Sequence, residues 1–375
     1  MYSAAAVCER GLDDISCTEI KELIGADAQS RDGVVFFHVK SLDKLAFLCY
    51  CAQSLKRVLL LFADGTFKDF FVEIGEKIKK VDLSEWVTKE STLAVVCERM
   101  GEHPFTSSEA AERVGEMLIQ EIEKKRGFMP QVNLDHPSVP FFLYIADNQF
   151  IFGIDFGGFD LAQREYKIFS HAASLKGTVG YGIVRLAGFE KKQLMLSCFT
   201  KSAIIEIEAA LFAAHRAVNH YRKDAFAFLE FPCFPEKDWD AFFADIDKEF
   251  SDNKLHILAI DSDLRNISGG KKNAKIAGID RLIDFSRIDV EWMDVKFKEG
   301  EFDVLIAYPA GRETEQMNKL FHQAGYILNE KGKMVVVSMG KRFEDFGNAE
   351  GFAVENERVL ERGETKLIIQ IFVKK

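Results

Sequence analysis

The sequence lacks several features that would assign a function at once. Its seven cysteines include no Cys-x-x-Cys pair, so neither a zinc site nor a disulfide framework is indicated, and the pattern suits a reducing compartment. No apolar run is long enough to span a membrane, and no signal peptide is recognisable. We therefore expect a cytoplasmic protein that uses no metal and contacts no membrane.

Excess positive charge is also missing. The chain has 49 Lys and Arg residues against 59 Asp and Glu residues, a formal net charge of −10. This balance argues against a strongly basic nucleic-acid-binding protein, although a local basic patch stays possible. The length of 375 residues suggests two or three domains, and a hydrophobic content of 47% is ample for their cores. The sequence gives no sign of assembly beyond a monomer or weak oligomer.

The spacing of apolar residues divides the chain into blocks. Residues 1–62 alternate short strands and helices, which predicts a small α+β domain. Residues 63–156 predict a second α+β domain, and residues 157–173 a linker. Residues 174–375 alternate strands and helices as a doubly wound parallel sheet does. The last two predicted strands could pair antiparallel.

For one helix of the second block, the sequence indicates both the first and the last residue. The periodicity predicts a helix from Ser107 to Arg126, with Ser107 as its N-cap and Gly127 as its stop.

Glycine is missing where it would be most expected. From Leu194 the chain reads as an apolar strand, a short polar loop and a helix, which is how a nucleotide-type cofactor site begins in an open α/β sheet. Such loops normally contain glycines, because backbone N–H groups must approach the ligand closely. No residue from Met195 to Leu211 is glycine. The chain is therefore either a working enzyme with an unusual loop or an inherited scaffold that has lost catalysis.

Several segments together resemble the THUMP-domain RNA methyltransferases, a group that acts on guanine N2 of tRNA or ribosomal RNA. The resemblance covers nearly the full length and depends on the order and spacing of the segments. They are Gly101–Glu109 with Val114-Gly115, Ile154–Gly158 with Leu161, Arg164 and Tyr166-Lys167, Ser174–Thr178, Glu208–Leu211, Asp261–Asp263 and Asn273–Gly278. The resemblance implies an α/β protein with an N-terminal ferredoxin-like domain, a THUMP domain and a Rossmann-like class I methyltransferase domain. It also implies S-adenosylmethionine (SAM) as cofactor and RNA, above all tRNA, as partner.

The resemblance implies the cofactor residues as well. The family's first motif, Asp-Pro-x-Cys-Gly-Ser-Gly, corresponds here to residues 197–203, where the acidic residue, the proline and both glycines are absent. Ser197, Thr200 and Ser202 are the candidates to hold SAM there, and the alternative is a strand-to-helix turn with no ligand. Asp261 corresponds to the acidic residue on the ribose hydroxyls, and Asp289 to the one near the adenine amino group. Each could instead be a solvated surface charge.

The catalytic motif is similarly altered. The family pattern Asp/Asn-Pro-Pro-Tyr/Phe-Gly corresponds to Ala307-Tyr308-Pro309-Ala310-Gly311. By resemblance Tyr308 could stack on the target base and Pro309 could shape the turn and supply a carbonyl. No Asn or Asp is present to accept the hydrogens of the amino group, so an ordinary strand-to-helix turn is the alternative.

The candidate RNA contact is the basic run Lys124, Lys125 and Arg126. The run ends a predicted helix, where the helix dipole favours cations even without a ligand.

Three hypotheses stay open. The chain could be a SAM-dependent RNA methyltransferase with a drifted active site, forming N2-methylguanosine in tRNA. It could be a non-catalytic RNA-binding paralogue, a pseudoenzyme that presents RNA to a partner. It could also be an interaction scaffold that binds neither ligand. Family resemblance favours the first hypothesis, whereas residues 197–203 and 307–311 favour the second.

Overall fold

The computed structural model describes residues 1–309, 314–362 and 365–375. The strands are β1 Tyr2–Cys8, β2 Ala28–Arg31, β3 Val34–Val39, β4 Leu55–Thr66, β5 Thr92–Met100, β6 Gln131–Val132, β7 Val139–Ala146, β8 Gln149–Asp155, β9 Met195–Cys198, β10 Ile257–Asp261, β11 Ile283–Arg287, β12 Phe302–Ala307, β13 Leu328–Met339, β14 Phe352–Arg362 and β15 Thr365–Lys374. The α-helices are α1 Asp13–Ile24, α2 Asp43–Cys51, α3 Phe70–Ile78, α4 Ser107–Arg126, α5 Gly177–Leu186, α6 Ile204–Ala213, α7 Trp239–Asp247, α8 Leu264–Ile276, α9 Met293–Lys296, α10 Thr314–Ile327 and α11 Glu344–Ala349.

The chain forms two compact units, each discontinuous in sequence. The first contains residues 1–8, 16–161 and 219–246, and the second contains residues 9–15, 162–218 and 247–375.

The first unit is built on one sheet with the strand order β2-β3-β1-β4-β8-β7-β5-β6. Its N-terminal part has the order β1-α1-β2-β3-α2-β4 along the chain and β2-β3-β1-β4 in the sheet, which is the ferredoxin-like arrangement. The family resemblance implied this part, and it is present. Strand β4 continues past position 62 to Thr66 and pairs antiparallel with β8, so the sheet runs on without a break.

Residues 219–246 complete the core of the first unit with aromatic side chains. The Tyr50 ring centroid lies 4.7 Å from that of Phe243 and 6.3 Å from that of Phe226. Phe226 in turn stacks on Phe228 at 4.8 Å. Aromatic contacts of this kind stabilise a core beyond their buried area. The abundance of Phe in the sequence is therefore accounted for in part by this cluster.

Helix α4 has the bounds that the sequence predicts, but its N-cap is different. Thr106, not Ser107, is the N-cap, since its hydroxyl accepts a hydrogen bond from the Glu109 N–H at 3.2 Å. The Glu109 carboxylate accepts from the Thr106 N–H at 2.7 Å and completes a capping box. Gly127 ends the helix with a left-handed φ of 72°, as expected.

The second unit contains a sheet with the order β11-β10-β9-β12-β13-β15-β14. Strands β9 to β13 run parallel where they pair, and β15 runs antiparallel to both β13 and β14. The doubly wound sheet and its antiparallel C-terminal pair are therefore confirmed. The strand order reverses between β9 and β12, and ligands of open α/β sheets bind at the carboxyl ends of strands at such a point.

Candidate functional site: the loop between β9 and α6

The candidate site lies at the carboxyl ends of β9 and β12, which are neighbouring parallel strands. Ala307 at the end of β12 pairs with Cys198 at the end of β9, and the Tyr308 N–H donates to the Cys198 carbonyl at 3.4 Å. The loop from Phe199 to Ala203 follows β9 and leads into α6.

The loop keeps a glycine-like backbone without glycine. Phe199, Lys201 and Ala203 have φ values of 62°, 50° and 58°, which lie in the left-handed region. Each such residue costs about 1–2 kcal/mol, because its Cβ crowds the following carbonyl oxygen. The loop therefore carries side chains at three backbone positions that glycine would adopt most easily.

The Lys201 side chain closes this loop over the end of β12. Lys201 is 8% exposed, and its ammonium donates to the Tyr308 carbonyl and, at 3.4 Å, to the Phe199 carbonyl. The nitrogen also lies 3.9 Å from the centroid of the Tyr308 ring, within cation–π range. A positive charge of the protein itself thus bridges the two strand ends.

Little empty space is left between these residues. The cavity has a volume of about 10 Å³, and its lining is Ala173, Ser174, Leu175, residues 197–202, Ile204, Ile205, Glu206 and Tyr308. A volume of this size holds about one water molecule.

Glu206, in the first turn of α6, is a buried acid beside the same loop. Its side chain is paired with the Ser197 hydroxyl, whereas its Oε1 atom has no hydrogen-bond partner among the described residues. Burial, with a smaller contribution from nearby Asp261, raises the pKa of Glu206 to about 7 against the opposing effects of Ser197 and Lys201.

The serine and threonine of the loop are engaged with the protein. The Thr200 hydroxyl donates to the Ile260 carbonyl at 3.3 Å. The Ser202 hydroxyl accepts from the His171 N–H at 3.1 Å, and its carbonyl accepts from the Asn273 side chain at 3.0 Å. The structure thus brings Ser197, Thr200 and Ser202 together at one cavity, with their polar atoms turned to internal partners. Their role toward a cofactor stays a prediction.

Asp261 lies next to this loop, at the end of β10. One carboxylate oxygen accepts from the Asp263 N–H at 2.9 Å, and the other accepts from the Asn266 side chain at 3.0 Å and the Lys201 N–H at 3.4 Å. Asp289, by contrast, caps the short helical turn at Val290–Trp292 through the Glu291 N–H at 3.4 Å. Neither Asp261 nor Asp289 is part of the cavity lining.

Of the altered catalytic motif, Tyr308 and Pro309 are both buried, and Tyr308 lines the cavity beneath Lys201. Ala310, Gly311 and Arg312 lie outside the described residues.

The basic end of α4 in the first unit makes mainly internal contacts. Lys125 donates to the carbonyls of Lys79 and Val81, at 2.6 and 3.1 Å. Arg126 donates to the carbonyls of Leu83 and Val87. Lys124 is exposed. Two of these three cations therefore hold a neighbouring loop, and RNA contact at this helix end stays a prediction.

Sequence reasoning missed Glu206. The available signal was an acidic residue inside the apolar run Ile204-Ile205-Glu206-Ile207, a pattern that is typical of a buried charge.

Comparison with known proteins identifies the family. The family model of the RMKL-like methyltransferase domain matches residues 164–367, which is more than half of the chain, and the THUMP domain model matches residues 68–155. The chain belongs to the THUMP-domain RNA methyltransferase family. This also confirms the expected fold class, with a THUMP domain followed by a class I methyltransferase-like domain.

Two relatives in the family resemble the chain over most of its length. A tRNA (guanine(6)-N2)-methyltransferase of Methanocaldococcus jannaschii is 27% identical, with 92% of this chain and 93% of the relative covered. A protein of the same description from Archaeoglobus fulgidus is 26% identical, with 97% and 90% covered. The crystal structure of SMU.472 complexed with SAH superposes with a TM-score of 0.81 at 17% identity, covering 100% of this chain and 98% of that chain.

Members of this family are SAM-dependent enzymes, so the fit of SAM to the site can be tested. The residues at the switch point of the described structure do not fit it. The cavity has a volume of about 10 Å³, and Lys201 lines it with an ammonium that donates to the Tyr308 carbonyl. Three non-glycine residues of the same loop, Lys201 among them, lie in the left-handed region. SAM carries a sulfonium cation, and like charges repel most strongly where water is excluded.

Two further kinds of feature, a membrane-spanning helix and a metal-binding cluster, are absent from the described residues. No helix in them is both long and apolar enough to cross a membrane. No group of three or more His, Cys, Asp or Glu side chains in them is arranged to hold a metal ion.

Proposed function

We propose that this protein binds tRNA with the fold of an RNA methyltransferase but does not methylate it, because its own Lys201 fills the cofactor cleft. The observation that carries the proposal is the buried ammonium that joins the β9 loop to the Tyr308 carbonyl at the end of β12. The sulfonium of SAM would be repelled by this ammonium, because like charges interact strongly where water is excluded.

The choice of tRNA is supported by the relatives. Both are described as tRNA methyltransferases, and each match includes the THUMP segment as well as the methyltransferase domain, since it covers more than nine-tenths of this chain. A protein that kept this whole architecture while losing the cofactor cleft would keep the part of its function that needs no cofactor, namely RNA binding.

The second candidate is a tRNA guanine-N2 methyltransferase, which the same full-length similarity favours. In this case Lys201 would have to leave the cleft. Thr200, Ser202 and Asp261 would then hold SAM, Tyr308 would stack on the guanine, and the Pro309 carbonyl would accept a hydrogen bond from its amino group. The amino nitrogen must also lie in line with the transferred methyl group at near-attack distance.

Calorimetry with SAM decides between the candidates. We expect no heat of binding for the wild-type protein up to millimolar SAM. We expect measurable binding when Lys201→Gly and Ala203→Gly restore both glycines of the family motif. Lys192→Gly, at an exposed position in the same unit, is the matched control and should behave as the wild type does.

Two outcomes would overturn the proposal. Micromolar SAM binding by the wild-type protein, followed by transfer of a labelled methyl group to tRNA, would establish the second candidate. Absence of tRNA binding in a fluorescence anisotropy titration would remove the proposed function altogether.

A further inference from the structure

The most basic element of the second unit is α8, which follows β10. It contains Arg265, Lys271, Lys272 and Lys275 and no acidic residue. Arg265 is bound to its neighbour Asp263 by an ion pair of 2.7 Å. The three lysines are exposed, and the part of the chain that the structure describes provides no carboxylate partner for any of them. In a protein with a net charge of −10, three unneutralised lysines on one helix are a local exception.

An aromatic side chain lies on the same surface. Phe169 is 41% exposed, and the Lys272 ammonium lies 4.8 Å from its ring centroid. We define the α8 basic face as Lys271, Lys272, Lys275 and Phe169. Apolar side chains at its margins are also exposed, namely Ile168 and Leu264 at 65% and 59%.

The position of Phe169 is fixed by the helix. The fully buried Asn273 side chain accepts from the Phe169 N–H and donates to the Phe169 carbonyl, both at 2.9 Å. These hydrogen bonds hold the backbone of Phe169 in place. The exposed ring would therefore lose little conformational entropy on binding a ligand.

We infer that the α8 basic face binds RNA, with the lysines on backbone phosphates and Phe169 stacked on an unpaired base. An ordered aromatic ring flanked by cations matches the requirements of single-stranded nucleic acid, where stacking and phosphate contacts act together. An anionic membrane would be attracted by the same charges. RNA is favoured because the face belongs to the RNA methyltransferase domain of the family. The inference rests on the proposed function, since it names the surface through which tRNA is held.

The test measures binding of a fluorescent tRNA transcript as a function of salt. The variant Lys271→Gln/Lys272→Gln/Lys275→Gln removes three charges but keeps good helix formers. The matched control is Lys191→Gln/Lys192→Gln/Lys254→Gln, which removes three exposed charges elsewhere in the same unit. We expect the α8 variant to bind at least about tenfold more weakly at low salt, with the slope of log K against log salt smaller by about 2 to 3. The control should keep both values.

Phe169→Ala tests the stacking contribution separately. We expect a loss of about tenfold in affinity with the salt slope unchanged, because no phosphate contact is removed. Tyr326→Ala is the control, since Tyr326 is 39% exposed and also belongs to the second unit.

The outcomes separate this inference from the proposed function. If the wild type binds tRNA and the α8 variant binds equally tightly with the same salt slope, the α8 basic face is not the RNA surface. Binding of the wild type to phosphatidylserine vesicles, without competition by tRNA, would also overturn the inference in favour of a membrane contact. If the wild type binds no tRNA, the proposed function fails first.

Discussion

Two glutamates on α6 are equally buried but have very different partners. Glu208 is 0% exposed, and its carboxylate accepts from Arg164 Nε at 2.7 Å and from the Tyr166 hydroxyl at 2.5 Å. Glu206, two residues earlier and 1% exposed, has the Ser197 hydroxyl and an oxygen with no hydrogen-bond partner in the described structure. One helix thus carries a compensated charge and a poorly compensated one.

The two glutamates also differ in whether their surroundings match the segments that resemble the family. Glu208 and its partners Arg164 and Tyr166 belong to segments that match the family, and together they form a buried network with full hydrogen bonding. Glu206 lies beside the loop from Phe199 to Ala203, which contains no glycine.

The largest loss of stability is expected from breaking the ion pair between Arg164 and Glu208. Glu208→Gln removes the buried carboxylate that pairs with the Arg164 guanidinium, whose side chain is only 1% exposed. We expect the free energy of unfolding to fall by about 3–5 kcal/mol, as measured by urea denaturation. Glu116→Gln on the exposed surface of α4 is the control and should change stability by less than about 0.5 kcal/mol. A loss of under about 1 kcal/mol for Glu208→Gln would show that the two glutamates do not differ as described.

The next prediction concerns how folding stability depends on pH. The dependence caused by Glu206 has the opposite sign to that of a salt-bridged carboxylate. The pKa of Glu206 is about 7 in the folded state and near 4.5 in the unfolded state, so folding favours the protonated form. Stability from this group is fully present below about pH 4.5 and is lost as pH rises through about 7. The loss is on the order of 3 kcal/mol, from about 2.5 pKa units at 1.36 kcal/mol each.

Glu206→Gln should remove this dependence. Relative to the variant, the wild type should become less stable between about pH 4.5 and about pH 8, as measured by urea unfolding at both values. A constant difference between the two proteins would mean that Glu206 is not held in its neutral form.

The smallest effect tests how tightly α8 packs on the altered loop. A Cβ at Gly270 would lie 2.8 Å from the Ala203 Cβ, so Gly270→Ala should cost about 1–3 kcal/mol of stability. At the adjacent Gly269 the nearest atom would be at 3.6 Å, an ordinary contact. Gly269→Ala should therefore be neutral or stabilising by up to about 1 kcal/mol, because alanine is the better helix former. Equal effects at the two positions, in thermal unfolding, would contradict a tight contact between loop and helix.

Much of the fold could be predicted because periodicity and caps are local signals. Helix α4 has the expected bounds, since an amphipathic pattern ends at Gly127. Strand β2, Ala28–Arg31, was missed because it is short and its side chains are mostly exposed, which leaves no apolar alternation to detect. Strand β11, Ile283–Arg287, was missed for a similar reason, as only its first residue is fully buried.

The position of the loop between β9 and α6 could be predicted, but its conformation could not. Family resemblance located the loop at residues 197–203, and the sequence alone showed that its glycines were missing. It did not show that Phe199, Lys201 and Ala203 would keep left-handed φ values, or that the Lys201 ammonium would reach the Tyr308 carbonyl. Such contacts depend on which strand ends meet, and β9 and β12 are more than a hundred residues apart in the chain.

The discontinuity of the two units has a consequence for biosynthesis. The aromatic cluster around Tyr50 needs Phe226 and Phe243, so the first unit is incomplete until residue 246 has left the ribosome. The second unit likewise includes residues 9–15 from the beginning of the chain. Neither unit can therefore complete its fold from one continuous stretch of chain. A nascent chain stalled within residues 162–218 would expose an unfinished aromatic core to chaperones and proteases.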